Sequence, residues 1–105
     1  MNKLRINKDE KNKILYIQAE HIYTIIYLTD GDRRTVRKSL KEWEEELEKD
    51  GFIKIDRSHL VNIEYIQEVN RGVRLVDGKH IKIPHGKIKD IKLKYLQHNK
   101  KIKFI

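Results

Sequence analysis

Short runs of β-branched and aromatic residues, broken at close intervals by turn residues, restrict this chain to a fold built mainly from short strands. In KILYIQAEHIYTIIYLTDGDRRTVRKS they predict strands over 13–19, 22–29 and 33–37, with a break at Glu20 and His21 and a turn at Asp30-Gly31. Ile22 to Leu28 is apolar on both alternating faces, the pattern of a strand covered by a layer on each side, and this segment is expected in the middle of the domain. After Gly51 the pattern resumes, with strands over 52–55, 60–62, 64–69, 72–76 and 79–83 and a tight hairpin at Asp77-Gly78 between VRLV and KHIKI. Val73 with Leu75, and Ile81 with Ile83, alternate as half-buried strands require.

Two segments change period. In SLKEWEEELEKDG, Leu40, Trp43 and Leu47 recur at helical spacing, Ser39 and Glu42 form a capping-box pattern, and Asp50-Gly51 supplies the stop. Trp43 is expected to anchor the core. Pro84 ends the last strand, and HGKIKDIKLKYLQHNKK then carries Ile88, Ile91 and Tyr95 at helical spacing among lysines, a basic terminal helix with a basic tail over 97–105. Residues 1–11 read as a linker or as a first strand, KLRIN, with a polar loop. The expected fold class is mostly β with one or two short helices, in small antiparallel sheets, and 105 residues suit a single domain.

Lys and Arg number 24 against 16 Asp and Glu, a formal net charge of +8. Because Glu44, Glu45, Glu46 and Glu48 crowd one helix, the basic excess elsewhere is larger than that sum. Such a balance favours a polyanionic partner, and nucleic acid, an acidic membrane surface and acidic proteins all fit the charge alone. The lack of cysteine removes disulfides, thiolate nucleophiles and Cys-based zinc sites, and fits a reducing compartment. No apolar run has the length of a signal segment or a membrane span, from which a soluble cytoplasmic protein is expected.

Patterns for catalysis are weak. His21, His59, His80, His85 and His98 show neither helical i, i+4 pairing nor Cys partners, so no metal or other cofactor is expected. Asp56, Ser58 and His59 are neighbours on one stretch, where side chains alternate in direction, and they read as a polar turn rather than a nucleophilic triad. A ribonuclease would need two proton-transfer groups on either side of a phosphate, which the spacing does not show. A phosphate-cradling GxxxxGK loop is absent.

The segment GFIKIDRSHLVNIEYIQEV, with its aromatic and basic pair, Arg-Ser, apolar pair and Asn before Ile, resembles the signature of the LytTR family of bacterial DNA-binding domains. The order around it also matches: ILYIQAEHIYTIIYLTDG and KSLKEWEEEL before it, VRLVDGKHIKIP and a terminal helix after it, over roughly residues 12–96. The resemblance implies small sheets whose loops, rather than a recognition helix, enter successive major grooves of a bent duplex. It places a first reading loop at Glu20 to Tyr23, a second at Asp56 to His59 and a third at His85 to Lys87. On that carry-over His21 or Tyr23, then Arg57 with Ser58, and then His85 and Lys87 face the DNA. This chain departs from many relatives in having Pro84 and His85 in place of Ser and a basic residue, and Asp56 in place of His before Arg-Ser. An acid there would repel phosphates unless a neighbouring cation compensates.

Residue chemistry alone supports part of this. An Arg fork grips two guanine acceptors and discriminates against a wrong base by ~1 to 3 kcal/mol, which singles out Arg57; its alternative is a surface ion pair with Asp56 or a helix glutamate. Lys54, Lys87 and Lys89 fit phosphate contacts or solvated surface charges. His85 and Lys87 stand at a helix start, where backbone amides favour an anion. His59 is expected packed or hydrogen-bonded, and Asn62 bonded to turn backbone. The cationic tips are expected along one edge, far from the glutamate-rich side. Taken with these residues, the resemblance implies sequence-specific binding of double-stranded DNA, at promoter direct repeats, by the output domain of a bacterial transcription regulator. A second copy on an adjacent site and an upstream receiver domain are the further partners this implies. An RNA-binding module or a small basic ribonuclease is the alternative.

Overall fold

The computed structural model describes residues 8–103. A helical turn, α1 (Lys8–Lys11), precedes strands β1 (Ile14–Glu20), β2 (Tyr23–Leu28) and β3 (Arg33–Val36). Helix α2 (Leu40–Glu46) leads to β4 (Phe52–Lys54) and β5 (His59–Asn62), then β6 (Ile66–Val69), β7 (Gly72–Leu75), β8 (His80–Lys82) and the terminal helix α3 (Ile88–Lys103). The strands form two antiparallel sheets, one of five in the order β3-β2-β1-β5-β4 and one of three in the order β6-β7-β8. The mostly β fold expected from the sequence is therefore what forms. No helix among the described residues is long and apolar enough to cross a membrane.

The five-stranded sheet carries a separate core on each face. On one, Ile14, Ile17, Ile26 and Leu60 meet Leu40, Trp43 and Leu47 of the α2 segment. On the other, Leu15, Tyr16, Ile53, Ile55 and Val61 meet the three-stranded sheet and Ile91 of α3. Strand β1 serves both cores because its pairing with β2 shifts register between Ile14 and Tyr16. An irregularity of this kind adds a residue to one strand and turns the side chains that follow it. Ile14 and Ile17, three apart, can then share a face while Leu15 and Tyr16 fill the other.

This corrects the placement of the central strand. Ile22 to Leu28 was expected between two layers, but β1 holds that position, with Ile14 through Ile17 all buried. In β2 only Thr24 and Ile26 are buried, Ile25 and Tyr27 are half covered, and Ile22 stands outside the strand. The core under the three-stranded sheet and α3 draws its buried residues from β1, β4 and β5 of the larger sheet, and of β2 only the half-covered Tyr27 packs against it.

Helix α2 forms as its sequence predicts. The Ser39 hydroxyl accepts from the Glu42 amide at 3.0 Å and the Glu42 carboxylate accepts from the Ser39 amide at 2.9 Å. The bond from the Ser39 amide first, and then the Ser39 hydroxyl beside the carboxylate, hold the Glu42 carboxyl below its ordinary range. Trp43 is fully buried, and its indole Nε1 donates to Thr24 Oγ1 at 2.8 Å, which satisfies both polar atoms inside the core. Gly51, at φ 79, ends the segment in a conformation that favours glycine, and a Cβ there would stand 3.2 Å from the His98 ring.

Other expectations shift locally. Residues 64–69 do not form one strand: Ile63–Tyr65 is a 3₁₀ turn whose start is held by Asn62 Oδ1, which accepts from the Glu64 amide at 3.1 Å. Asn62 Nδ2 also donates to Ile14 O at 2.9 Å, tying this turn to the first strand. The sequence expected as a tail from residue 97 continues α3 to Lys103. Residues 8–11 are helical rather than linker or strand, and the proposed strand KLRIN lies outside the described residues.

Two outcomes follow from this packing. Thr24→Val keeps the shape but strands the buried indole N–H, so a loss of about 1 to 3 kcal/mol in urea unfolding is expected, while Thr24→Ser keeps the acceptor and should lose only about 0.8 kcal/mol for its one buried methyl group. Tyr16 stacks on Tyr27 with ring centroids 4.5 Å apart, and burial, then the Tyr27 phenol and the Asp77 carboxylate, push its pKa up to about 12 from 10.0. The fold therefore holds the protonated phenol, and its contribution is complete below pH 10 and lost as pH rises toward 12. Roughly 2 to 3 kcal/mol should disappear across that window. Denaturant titrations of Tyr16→Phe, which has no phenolic proton, should show a correspondingly smaller loss.

Candidate nucleic-acid interface

The β1–β2 hairpin closes through His21 and Ile22, with Glu20 paired opposite Tyr23. His21 has φ 56, the one positive value at a non-glycine position among the described residues. That conformation costs roughly 1 to 2 kcal/mol for a residue with a Cβ. Beside it Ile22 and Tyr23 are 57% and 42% exposed, an apolar tip facing solvent.

The second loop stands next to this tip because β5 pairs with β1, Gln18 opposite His59. The Ala19 amide donates to Ser58 O at 2.8 Å, which extends the contact into the loop itself. Asp56 does not face outward as a free acid: its Oδ1 accepts from the Ser58 amide at 2.8 Å and lies 2.9 Å from His59 Nδ1. The short side chain thus closes an Asx turn and braces a half-buried histidine. Arg57, between them, is exposed and makes no ion pair or hydrogen bond among the described residues, so the alternative of an Arg57–Asp56 or Arg57–glutamate pair does not form.

The third loop is a 3₁₀ turn, His85–Lys87, that runs directly into α3, and no side chain caps it. His85, Lys87 and Lys89 are exposed. Helix α3 lies along β4 with His98 against Gly51 and with Lys87, near its start, lining the same cleft as Lys54. Since β4 runs from Gly51 toward Lys54, the start of α3 is directed to the end of β4 from which the Asp56–Ser58 loop leaves.

Lys54 departs from expectation. Its Nζ is 3.8 Å from Glu44 Oε1, and it faces a cleft that Glu44, Glu45 and Glu48 also line. The glutamate-rich surface is therefore not far from the cationic edge; it borders it. Other cations are similarly engaged: Lys11 with Asp50, Arg34 with Glu10, Lys38 with Glu46, Arg74 with Glu68 and Lys94 with Asp90.

Two exposed arginines not singled out from the sequence join the free ones. Arg37 follows β3, whose Val36 pairs opposite Thr24, so it leaves the sheet beside Tyr23. Arg71 sits in the β6–β7 turn, where its carbonyl accepts from the Ile83 amide at 3.1 Å, next to Pro84. Only strand pairing reveals these neighbours; in the chain each is an isolated basic residue. No cluster of three or more His, Asp or Glu side chains suited to a metal ion occurs among the described residues.

Comparison with known proteins bears on this arrangement. A solved structure described as the LytTr DNA-binding domain of a methyl-accepting/DNA response regulator from Bacillus cereus superposes with a TM-score of 0.70, at 22% identity over 79% of this chain and 81% of that one. At that identity the likeness is one of fold. No curated protein matches the chain. The family model of the LytTr DNA-binding domain, however, matches residues 5–96, the stretch that holds all three loops. The chain belongs to the LytTr DNA-binding domain family.

Proposed function

We propose that this domain binds double-stranded DNA sequence-specifically as the output module of a transcription regulator, through loops rather than a helix laid in a groove. The observation that carries the reading is the adjacency of the His21–Ile22 tip and the Arg57 loop, side by side across the β1–β5 pairing. Arg57 is assigned to base reading, because an unpaired guanidinium on a braced turn arrives with its fork free. Ser58 lies within the same turn, and His21, Tyr23 and His85 supply neighbouring contacts. Lys87, Lys89, Arg37 and Arg71 are assigned to phosphate, which fixes position without naming sequence. Lys54 keeps a secondary place, since part of its charge already answers Glu44.

The His21 tip and the Arg57 loop, adjacent across the β1–β5 pairing, would approach one side of the duplex together, and entry of the loops into successive major grooves is part of the same proposal. Curvature toward the protein would bring a third contact within reach. Single-stranded RNA binding is less well supported, because Tyr16 and Tyr27 stack on each other and Tyr23 is the one strongly exposed aromatic among the described residues, short of the several faces that unpaired bases would need. Direct repeats, a second bound copy, an upstream receiver domain and action in the bacterial cytoplasm belong to the same proposal.

Selection of duplexes from a random pool tests it. The wild type should enrich a common sequence, and Arg57→Ala should lose preference at one or two base pairs, worth ~1 to 3 kcal/mol each, while retaining salt-sensitive binding. Weakening by the same factor on every sequence would move Arg57 to the phosphate class, and no enrichment at all would remove specific recognition. His21→Gly separates strain from contact: it should raise stability by about 1 kcal/mol while lowering affinity for the enriched duplex. Equal affinity with raised stability would take His21 out of the interface.

A further inference from the structure

Among the described residues five large apolar side chains are strongly exposed, and two of them, Ile22 and Tyr23, occupy the tip beside Arg57. Tyr23 has a hydroxyl that water can satisfy. Ile22 has none, yet it is 57% exposed at the end of a hairpin whose preceding residue is held at positive φ. The strand core does not use it: the inward face of β2 is made by Thr24 and Ile26. Its position is thus set by the hairpin and not by burial within the protein.

Building on the proposed DNA binding, we infer that Ile22 is a sequence-reading residue whose aliphatic side chain packs against the C5-methyl group of a thymine in the major groove. The chemistry is complementary. The thymine methyl is the one apolar group that a base edge shows there, and it has no hydrogen-bond partner to offer a polar side chain. A β-branched side chain is stiff about χ1, so little freedom remains to be lost on contact. With Arg57 on the next loop, the two tips would read opposite chemistries: guanine acceptors by a cation, a thymine methyl by a hydrocarbon. Covering both apolar groups removes them from water, which is the source of the preference.

The test uses the whole chain and the duplex it enriches from a random pool, with each thymine in turn replaced by deoxyuridine, which removes only the methyl group. At one position the wild type should bind the uracil duplex about three- to tenfold more weakly, the scale of one buried methyl group. Ile22→Ala should bind the thymine duplex more weakly by a similar factor and no longer distinguish uracil from thymine there. Ile22→Thr, which keeps β-branching, serves as a second variant, and equal thermal midpoints establish that both remain folded. Indifference of the wild type to every uracil substitution overturns the inference, as does full discrimination by Ile22→Ala. Loss of DNA bending in Ile22→Ala, together with indifference of the wild type to every uracil substitution, would overturn it in favour of a wedge between base steps. In each of these cases duplex binding itself survives. Failure to enrich any duplex would instead remove the underlying reading, and this inference with it.

Discussion

The pairing of β1 with β5 is the constraint on which the rest of the structure depends. Tyr16, Ile17 and Gln18 lie opposite Val61, Leu60 and His59, joining segments far apart in the chain. Such contacts return free energy only after a long loop has been closed, so they need strong local reward. Both strands supply it. Ile17 and Leu60 enter the core under α2 while Tyr16 and Val61 enter the core under the second sheet. A strand pair buried on both faces is firmly held in register, because a slip by one residue would exchange the two cores. That register sets the hairpin tip at His21 beside the Arg57 loop, and the precision of the candidate interface is inherited from the middle of the fold.

Charge is partitioned by the same scaffold. Surface ion pairs contribute little to stability, commonly under about 1 kcal/mol each, but they decide which cations are left for a partner. Arg34, Arg74 and Lys38 are matched with carboxylates on nearby elements, while Arg37, Arg57, Arg71, Lys87 and Lys89 have none among the described residues. A net charge of +8 states the excess without saying where it can act. Glu44, Glu45 and Glu48 share the cleft between α2 and α3 with Lys54, Lys87 and Lys94, so charges of both signs largely offset one another there, whereas the exposed Arg57 loop carries its cation outside that cleft.

Much of this was legible in the sequence because it is local. The capping box at Ser39 and Glu42, the burial of Leu40, Trp43 and Leu47, and the inward face of α3 at Ile88, Ile91 and Tyr95 follow from spacing within a few turns. The turn role of Asn62 and the packing of His59 were readable for the same reason. What escaped depends on pairing between distant segments. Ile22 to Leu28 has the composition of a doubly covered strand, yet coverage is decided by where the second sheet lands, and it lands over β1. Lys54 looked like a free cation because the chain does not show Glu44 across the cleft. Arg37 and Arg71 looked ordinary because their closeness to the first and third loops comes from strand register.

Asp56 shows how an unfavourable residue can be compatible with an anionic partner. Taken alone, a carboxylate next to Arg57 would weaken phosphate binding or draw the guanidinium into an ion pair. The structure gives its oxygens other work: one accepts from the Ser58 amide, and both lie within 3.2 Å of His59 Nδ1. The carboxylate is therefore occupied by donors on its own loop, and the guanidinium is left unpaired beside it. A larger side chain at this position could not close the same turn, since the two-residue reach of Asp to a backbone amide is what folds the loop back on itself. The residue that departs from the family pattern is thus the one that holds Arg57 on a rigid corner, and its negative charge is tolerated because the geometry that spends it also orients its neighbour.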